Sequence, residues 1–169
     1  LHRAAQLEGF YVPSLYHVTY HPDGTVAAYT PVYDDIPIKI KKRIIGDMDK
    51  AYFPKDFVLP DIETVQDRIA LEVYRGCIRG CRFCQAGMIY RPVREKSPEV
   101  LNEQAKCLYR STGYDEISLI SLSISDYSDI STLTDKLLQW TDPNKVNLSL
   151  PSLRADSFSD ELMQKISSV

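Results

Sequence analysis

Long hydrophobic runs are missing from this 169-residue chain. Crossing a bilayer as a helix takes about 20 consecutive apolar residues. No such stretch and no lipidation motif is present, so the protein reads as soluble. Cysteine is scarce, with four residues in all, and no secretory leader is visible. That argues against a disulfide framework, and reduced thiols and a cytoplasmic location are expected. An excess of one charge is lacking too: 20 Lys and Arg stand against 23 Asp and Glu, a net charge of −3, so charge does not indicate a nucleic-acid partner. The basic cluster at 39–43 is soon followed by Asp47 and Asp49 and reads as a solvated face.

Three of the four cysteines, Cys77, Cys81 and Cys84, fall within eight residues, directly after an apolar strand-like run at 69–74. Three thiolates so spaced can converge on one small object. A disulfide uses two sulfurs, whereas a closed zinc site or a fully ligated iron–sulfur cube uses four ligands. Three on a four-iron cluster would leave one iron open to a small molecule. The alternative is a non-catalytic zinc module with Cys107 as fourth ligand, but Cys107 has no Cys or His paired beside it. It sits in a helical stretch and reads as a small core residue. Charge is local to the motif: residues 67–110 carry nine Arg or Lys against five acids, and 111–169 carry four against nine. Arg75, Arg79, Arg82, Arg91 and Arg94 could offset an anionic cluster, or could solvate a loop.

The spacing Cys-x3-Cys-x2-Cys, with Phe83 before the last cysteine, resembles the signature of the radical S-adenosylmethionine (SAM) superfamily. The run 68–98, together with 11–13, 114–127 and 147–154, resembles the branch with a cobalamin-binding-like domain ahead of the radical SAM domain. The resemblance implies a 4Fe-4S cluster ligated by Cys77, Cys81 and Cys84, with S-adenosyl-L-methionine on the fourth iron. It implies reductive cleavage to methionine and a 5'-deoxyadenosyl radical, with electrons from a donor such as flavodoxin or ferredoxin. The substrate is unassigned, RNA methylthiolation or methylation is conceivable, and cobalamin has a place only in the full-length parent.

The residues themselves predict three strand–helix units. Strands are expected at 69–74, 117–124 and 146–150. Helices are expected at 97–111, capped by Ser97 and ended by Gly113, at 129–140, and at 159–166. Serial strand–helix units predict a parallel sheet. Side-chain parity sets Ile69, Leu71 and Val73 against Ala70, Glu72 and Tyr74. It sets Ile120, Leu122 and Ile124 against Ser121 and Ser123, and Val146, Leu148 and Leu150 against Asn147 and Ser149. One apolar face on outer helices and one polar face lining a partly open barrel fit that alternation. The fold expected is therefore α/β, the N-terminal half of a partial (β/α)6 TIM-like radical SAM barrel.

Site candidates follow from the rule that ligands gather at the carboxyl ends of such strands. Glu72 projects toward the polar side, or faces water from an edge strand. Ser123, Ser125 and Asp126 occupy the position where the resembled family contacts the SAM amino group, without its glycine pair. Ser125 and Asp126 read equally as helix N-caps. Arg154, beyond the third strand, could pair with a carboxylate or phosphate of SAM or substrate, or with Asp156. Residues 1–66 hold six of the ten prolines and form a linker segment with a hairpin around Pro22-Asp23-Gly24. His17 and His21 read as exposed strand residues, and a boundary is expected at 60–65. The resemblance places 1–66 after an upstream cobalamin-binding-like domain and 67–169 in the first half of the catalytic domain. Since such a core needs about six units, a fragment inactive by itself is expected.

Overall fold

The computed structural model describes residues 1–62, 64–154, 156 and 163–165. The expected helix at 159–166 lies largely outside the described residues. Two compact units, Leu1–Ile45 and Gly46–Val169, are treated in turn.

The first unit holds a short helix α1 (His2–Ala5) and an antiparallel hairpin of β1 (Tyr16–Tyr20) and β2 (Val26–Pro31). Its turn is built as the sequence suggests. Gly24 takes a positive φ of 85°, its N–H donates to the His21 carbonyl at 3.0 Å, and Asp23 Oδ1 accepts from the Thr25 N–H at 2.9 Å. A small core of Ala5, Val12, Tyr16 and Ile36 supports it, with Tyr16 stacked on Tyr29 at 4.6 Å.

The second unit is organised by a parallel sheet in the order β3 (Ile69–Glu72), β6 (Glu116–Ile120), β7 (Asn147–Ser149). Between β3 and β6 the chain makes a two-stranded ribbon of β4 (Tyr74–Arg75) and β5 (Arg94–Glu95), enclosing the short helix α2 (Ala86–Ile89). It then enters α3 (Pro98–Thr112). Ser97 caps α3 by accepting from the Val100 N–H at 3.3 Å, and Gly113 ends it in the left-handed region at φ 72°. The helix α4 (Ile130–Asn144) follows β6 and runs past the expected end at Trp140. Its Pro143 falls in the last turn, and Lys145 closes the helix at φ 54°.

Both long helices bury residues at helical spacing, Leu101, Gln104, Ala105 and Leu108 on α3 and Leu133, Thr134, Leu137 and Thr141 on α4. The apolar ones among these join Ile69, Leu71, Ile117, Leu119, Val146 and Leu148 in one core. The unit begins at Gly46, ahead of the 60–65 stretch expected as a boundary. Residues 46–56 account for this: Phe53 packs on the core, and Asp49 Oδ1 accepts the Ser97 N–H at 2.7 Å.

Register fixes the faces. Ile69 pairs with Ile117 and Leu71 with Leu119, while Ala70 pairs with Ser118 and Glu72 with Ile120. Parity therefore reads as expected over Ile69–Glu72 and in the third strand, where Leu148 is buried and Asn147 exposed, whereas Tyr74, expected on the polar face, lies in the core because β3 ends at Glu72. In the second strand it is reversed at the end. Ile120 and Leu122, expected on the packed face, are 43% and 46% exposed. The strand stops at Ile120 and the chain turns, so that Ile124 re-enters the core from a 3-10 turn, Ile124–Asp126.

Adjacent residues of β6 should then differ sharply. Leu119→Ala should cost about 2–5 kcal/mol of stability through an unfilled core volume, and Ile120→Ala less than about 1 kcal/mol. Chemical denaturation of the two variants checks this, and equal losses would mean the faces are wrongly assigned.

Candidate functional site

The cysteines lie on the loop between β4 and β5, at the carboxyl end of β3. Two glycines let that loop fold tightly. Gly76 has φ 106°, and a Cβ there would lie 2.8 Å from the carbonyl oxygens of both Tyr90 and Pro92. A Cβ on Gly87 would come within 2.3 Å of the Arg79 carbonyl, so α2 can pack on the loop backbone only with glycine there. Cys77 N–H donates to the Tyr90 carbonyl at 3.1 Å and Cys84 N–H to the Cys81 carbonyl at 3.0 Å. Arg91 Nε donates to the Gly87 carbonyl. The loop turns apolar groups outward, with Phe83 94% and Met88 78% exposed.

All four cysteines are free and half-buried. Among the described residues no group of three or more His, Cys, Asp or Glu side chains is drawn together as a metal cage. Cys107 stands on α3, where its thiol donates to the Lys55 carbonyl at 3.6 Å. It is half-buried rather than part of the core cluster expected for it. The loop's donor set suits a soft, thiolate-ligated cluster.

Around the loop the structure brings together most of the residues nominated from sequence. Asp126 ends the 3-10 turn after β6 and forms a bidentate ion pair with Arg79 of the loop, Nε to Oδ2 at 2.8 Å and Nη2 to Oδ1. The Arg79 guanidinium, with help from the Ser123 hydroxyl and then Arg154, holds the Asp126 carboxyl below the usual carboxylate range. Ser125 Oγ accepts the Arg154 N–H at 3.4 Å, and Arg154 Nη1 lies 4.0 Å from Cys81 Sγ. Arg154 also makes the pair with Asp156 considered from sequence, at 2.9 and 2.7 Å. The hydroxyls of Ser121 and Ser123 are buried beside Tyr74 and Asp126, without a well-formed hydrogen bond among the described residues. Neither Ser125 nor Asp126 caps α4, whose N-cap is Asp129.

Glu72 is placed differently. It stands on the open face of β3, half-exposed, and is held by Arg75 through Nε to Oε1 at 2.7 Å and Nη2 to Oε2 at 2.9 Å. The strand that carries it, β3, is the edge of the described sheet. The sequence gives no sign of two further features. Tyr74 donates to the Ser123 carbonyl and stacks on Tyr127 at 6.4 Å, and Tyr127 donates to the Lys96 carbonyl at 2.8 Å. Lys96 is 4% exposed, donates to Gln104 Oε1 at 3.2 Å, and its pKa is pushed down by burial. Partners this far apart in sequence leave no local pattern to read.

Comparison with known proteins gives the family. Residues 71–168 match the radical SAM superfamily, which includes all three loop cysteines, and the chain belongs to that superfamily. A protein of Methanocaldococcus jannaschii named "Uncharacterized protein MJ0966" is 32% identical over 139 residues, 77% of this chain and 30% of that protein. A second from the same organism, named "Putative methylthiotransferase MJ0865", is 27% identical over 123 residues, 67% of this chain and 27% of that protein. The chain thus spans less than a third of the length of either relative. No helix among the described residues is long and apolar enough to cross a membrane.

The Glu72–Arg75 pair generates a prediction about acid. Glu72 has its pKa lowered, first by the hydrogen bonds from Arg75. Its contribution to stability is therefore present above the ordinary glutamate range and is lost as pH falls through the lowered value. Arg75→Gln should lose that small contribution at neutral pH, flatten the acid limb of the stability profile and converge on wild type at low pH. Acid titrations of wild type and variant that superimpose would show that the pair contributes nothing.

Proposed function

We propose that this protein is a radical SAM enzyme in which Cys77, Cys81 and Cys84 hold a 4Fe-4S cluster through three of its irons. The observation that carries the proposal is the three-thiol loop at the carboxyl end of a parallel strand, inside the segment that matches the superfamily. When bound, the cluster and SAM supply one-electron reductive cleavage of the sulfonium and a radical able to abstract hydrogen. The thiols are free, and metal binding would be what closes the triad. Ser123, Ser125 and Asp126 would receive the SAM amino group at the end of β6. The Ser123 hydroxyl, which sits beside the Asp126 carboxylate, keeps acceptor capacity for that contact, and the carboxylate keeps a lone pair beyond those used by Arg79. Arg154, already near Cys81, would meet a carboxylate at the same rim. Glu72 would accept hydrogen bonds from SAM or substrate on the open face.

The complete catalytic domain would be a partial barrel of which 67–169 is the first half, with 1–66 linking it to an upstream cobalamin-binding-like domain. Flavodoxin or ferredoxin would supply electrons in the cytoplasm. The name of the second relative favours methylthio transfer as the reaction class to test first. A zinc module using Cys107 draws no support from the placement of its thiol against the Lys55 carbonyl.

Anaerobic reconstitution of the full-length protein with iron and sulfide should give a brown product, and SAM with reductant should then yield 5'-deoxyadenosine. Cys81→Ala should abolish both. A colourless protein with one tightly held zinc would contradict the proposal. Glu72→Gln should keep the iron content and lower SAM affinity or turnover about tenfold, the loss of one charged hydrogen bond. Unchanged kinetics would remove Glu72 from the site.

A further inference from the structure

Arg79 lies between Cys77 and Cys81, where charge alone suggests a counter-ion to an anionic metal centre. Its guanidinium is spent elsewhere. Both of its paired hydrogen bonds go to Asp126, a residue 47 positions away, whose side chain is 6% exposed. Asp126 is itself fixed, because its N–H donates to the Ser123 carbonyl at 2.9 Å, and that carbonyl also accepts the Tyr74 hydroxyl. A carboxylate so buried is strongly unfavourable without its cation. Two parallel N–H···O bonds also fix direction as well as distance. The loop near Cys77 and Cys81 is thereby tied to the turn after β6. From beyond β7, Arg154 touches that turn through Ser125 and the loop through Cys81.

We infer that Arg79 is a positioning residue: its bidentate pairing with Asp126 fixes the cysteine loop over the carboxyl end of β6, and it is not a counter-charge to the metal. The inference rests on the cluster reading only for its consequence, that a fixed loop retains iron longer. Fixation of the loop itself needs no metal and can be measured without one.

Hydrogen exchange in the cluster-free, full-length protein tests it, with the peptide covering 77–90 as the readout and 98–112 of α3 as the internal control. Arg79→Gln and Asp126→Asn should each speed exchange in 77–90 about tenfold. The double variant should be no faster than the faster single, because the two side chains act as one unit. Arg79→Lys should recover only part of the protection, since an ammonium cannot make the paired contact. Exchange in 98–112 should not change. If a single substitution unfolds the protein, the double variant, which leaves no unpaired buried charge, carries the test and must still show fast exchange confined to 77–90. In reconstituted protein, iron release to a chelator should follow the same order. Wild-type exchange rates in 77–90 in the variants, or effects that multiply in the double variant, would overturn the inference. Failure of wild type to take up iron would overturn the cluster reading, and the exchange data would still judge Arg79.

Discussion

Burial of Ile69, Leu71, Ile117, Leu119 and Leu148 in one core with α3 and α4 is the constraint from which the rest of the second unit follows. Parallel strands joined through helices on that side all present their carboxyl ends at the same edge. The loops that leave those ends are forced into one neighbourhood. The cysteine loop, the turn at Ile124–Asp126 and the segment reaching Arg154 are those loops. Function is then a matter of which polar side chains the loops bring, since the packed face is committed to stability. The opposite face, with Ala70, Glu72, Ser118 and Ile120, carries little of the core.

Charge at this edge is arranged in local pairs. Arg75 is held by Glu72, Arg79 by Asp126 and Arg154 by Asp156, so three cations near the thiols arrive with their own anions. A broad positive field over the cysteines, as the nine cations of 67–110 suggest, is therefore only partly realised. The pairs differ in consequence. Glu72 and Arg75 are both half-exposed, and such pairs contribute little. Asp126 is buried, which makes its pairing with Arg79 a structural commitment. Arg154 is the arginine whose contact reaches a cysteine sulfur, and hydrogen bonds to sulfur are a known lever on cluster potential.

Much of this was legible from residues alone because the signals are local. Ser97, Pro98 and Gly113 bracket α3 within a residue or two, and Pro22-Asp23-Gly24 marks the hairpin turn. The three cysteines announce themselves by spacing. What was not legible depends on distance. Period-two alternation carried through 117–124 put Ile120 and Leu122 on the wrong side, since nothing in the alternation shows that the strand stops at Ile120. The link from Arg79 to Asp126 spans 47 residues, and Lys96 is buried by Phe53 and Gln104 from different segments. Residues 46–56 looked like linker because Pro54 and the polar residues around it hide the contacts of Phe53 and Asp49.

The proposed activity requires three protein thiolates that leave one iron of a cluster for SAM. Electron paramagnetic resonance of the reduced, reconstituted full-length protein with and without SAM addresses this directly. The expected result is a cluster signal that shifts on addition of SAM, because SAM would enter the coordination sphere of the fourth iron. A cluster signal indifferent to saturating SAM, with all four irons ligated by protein side chains, would contradict it.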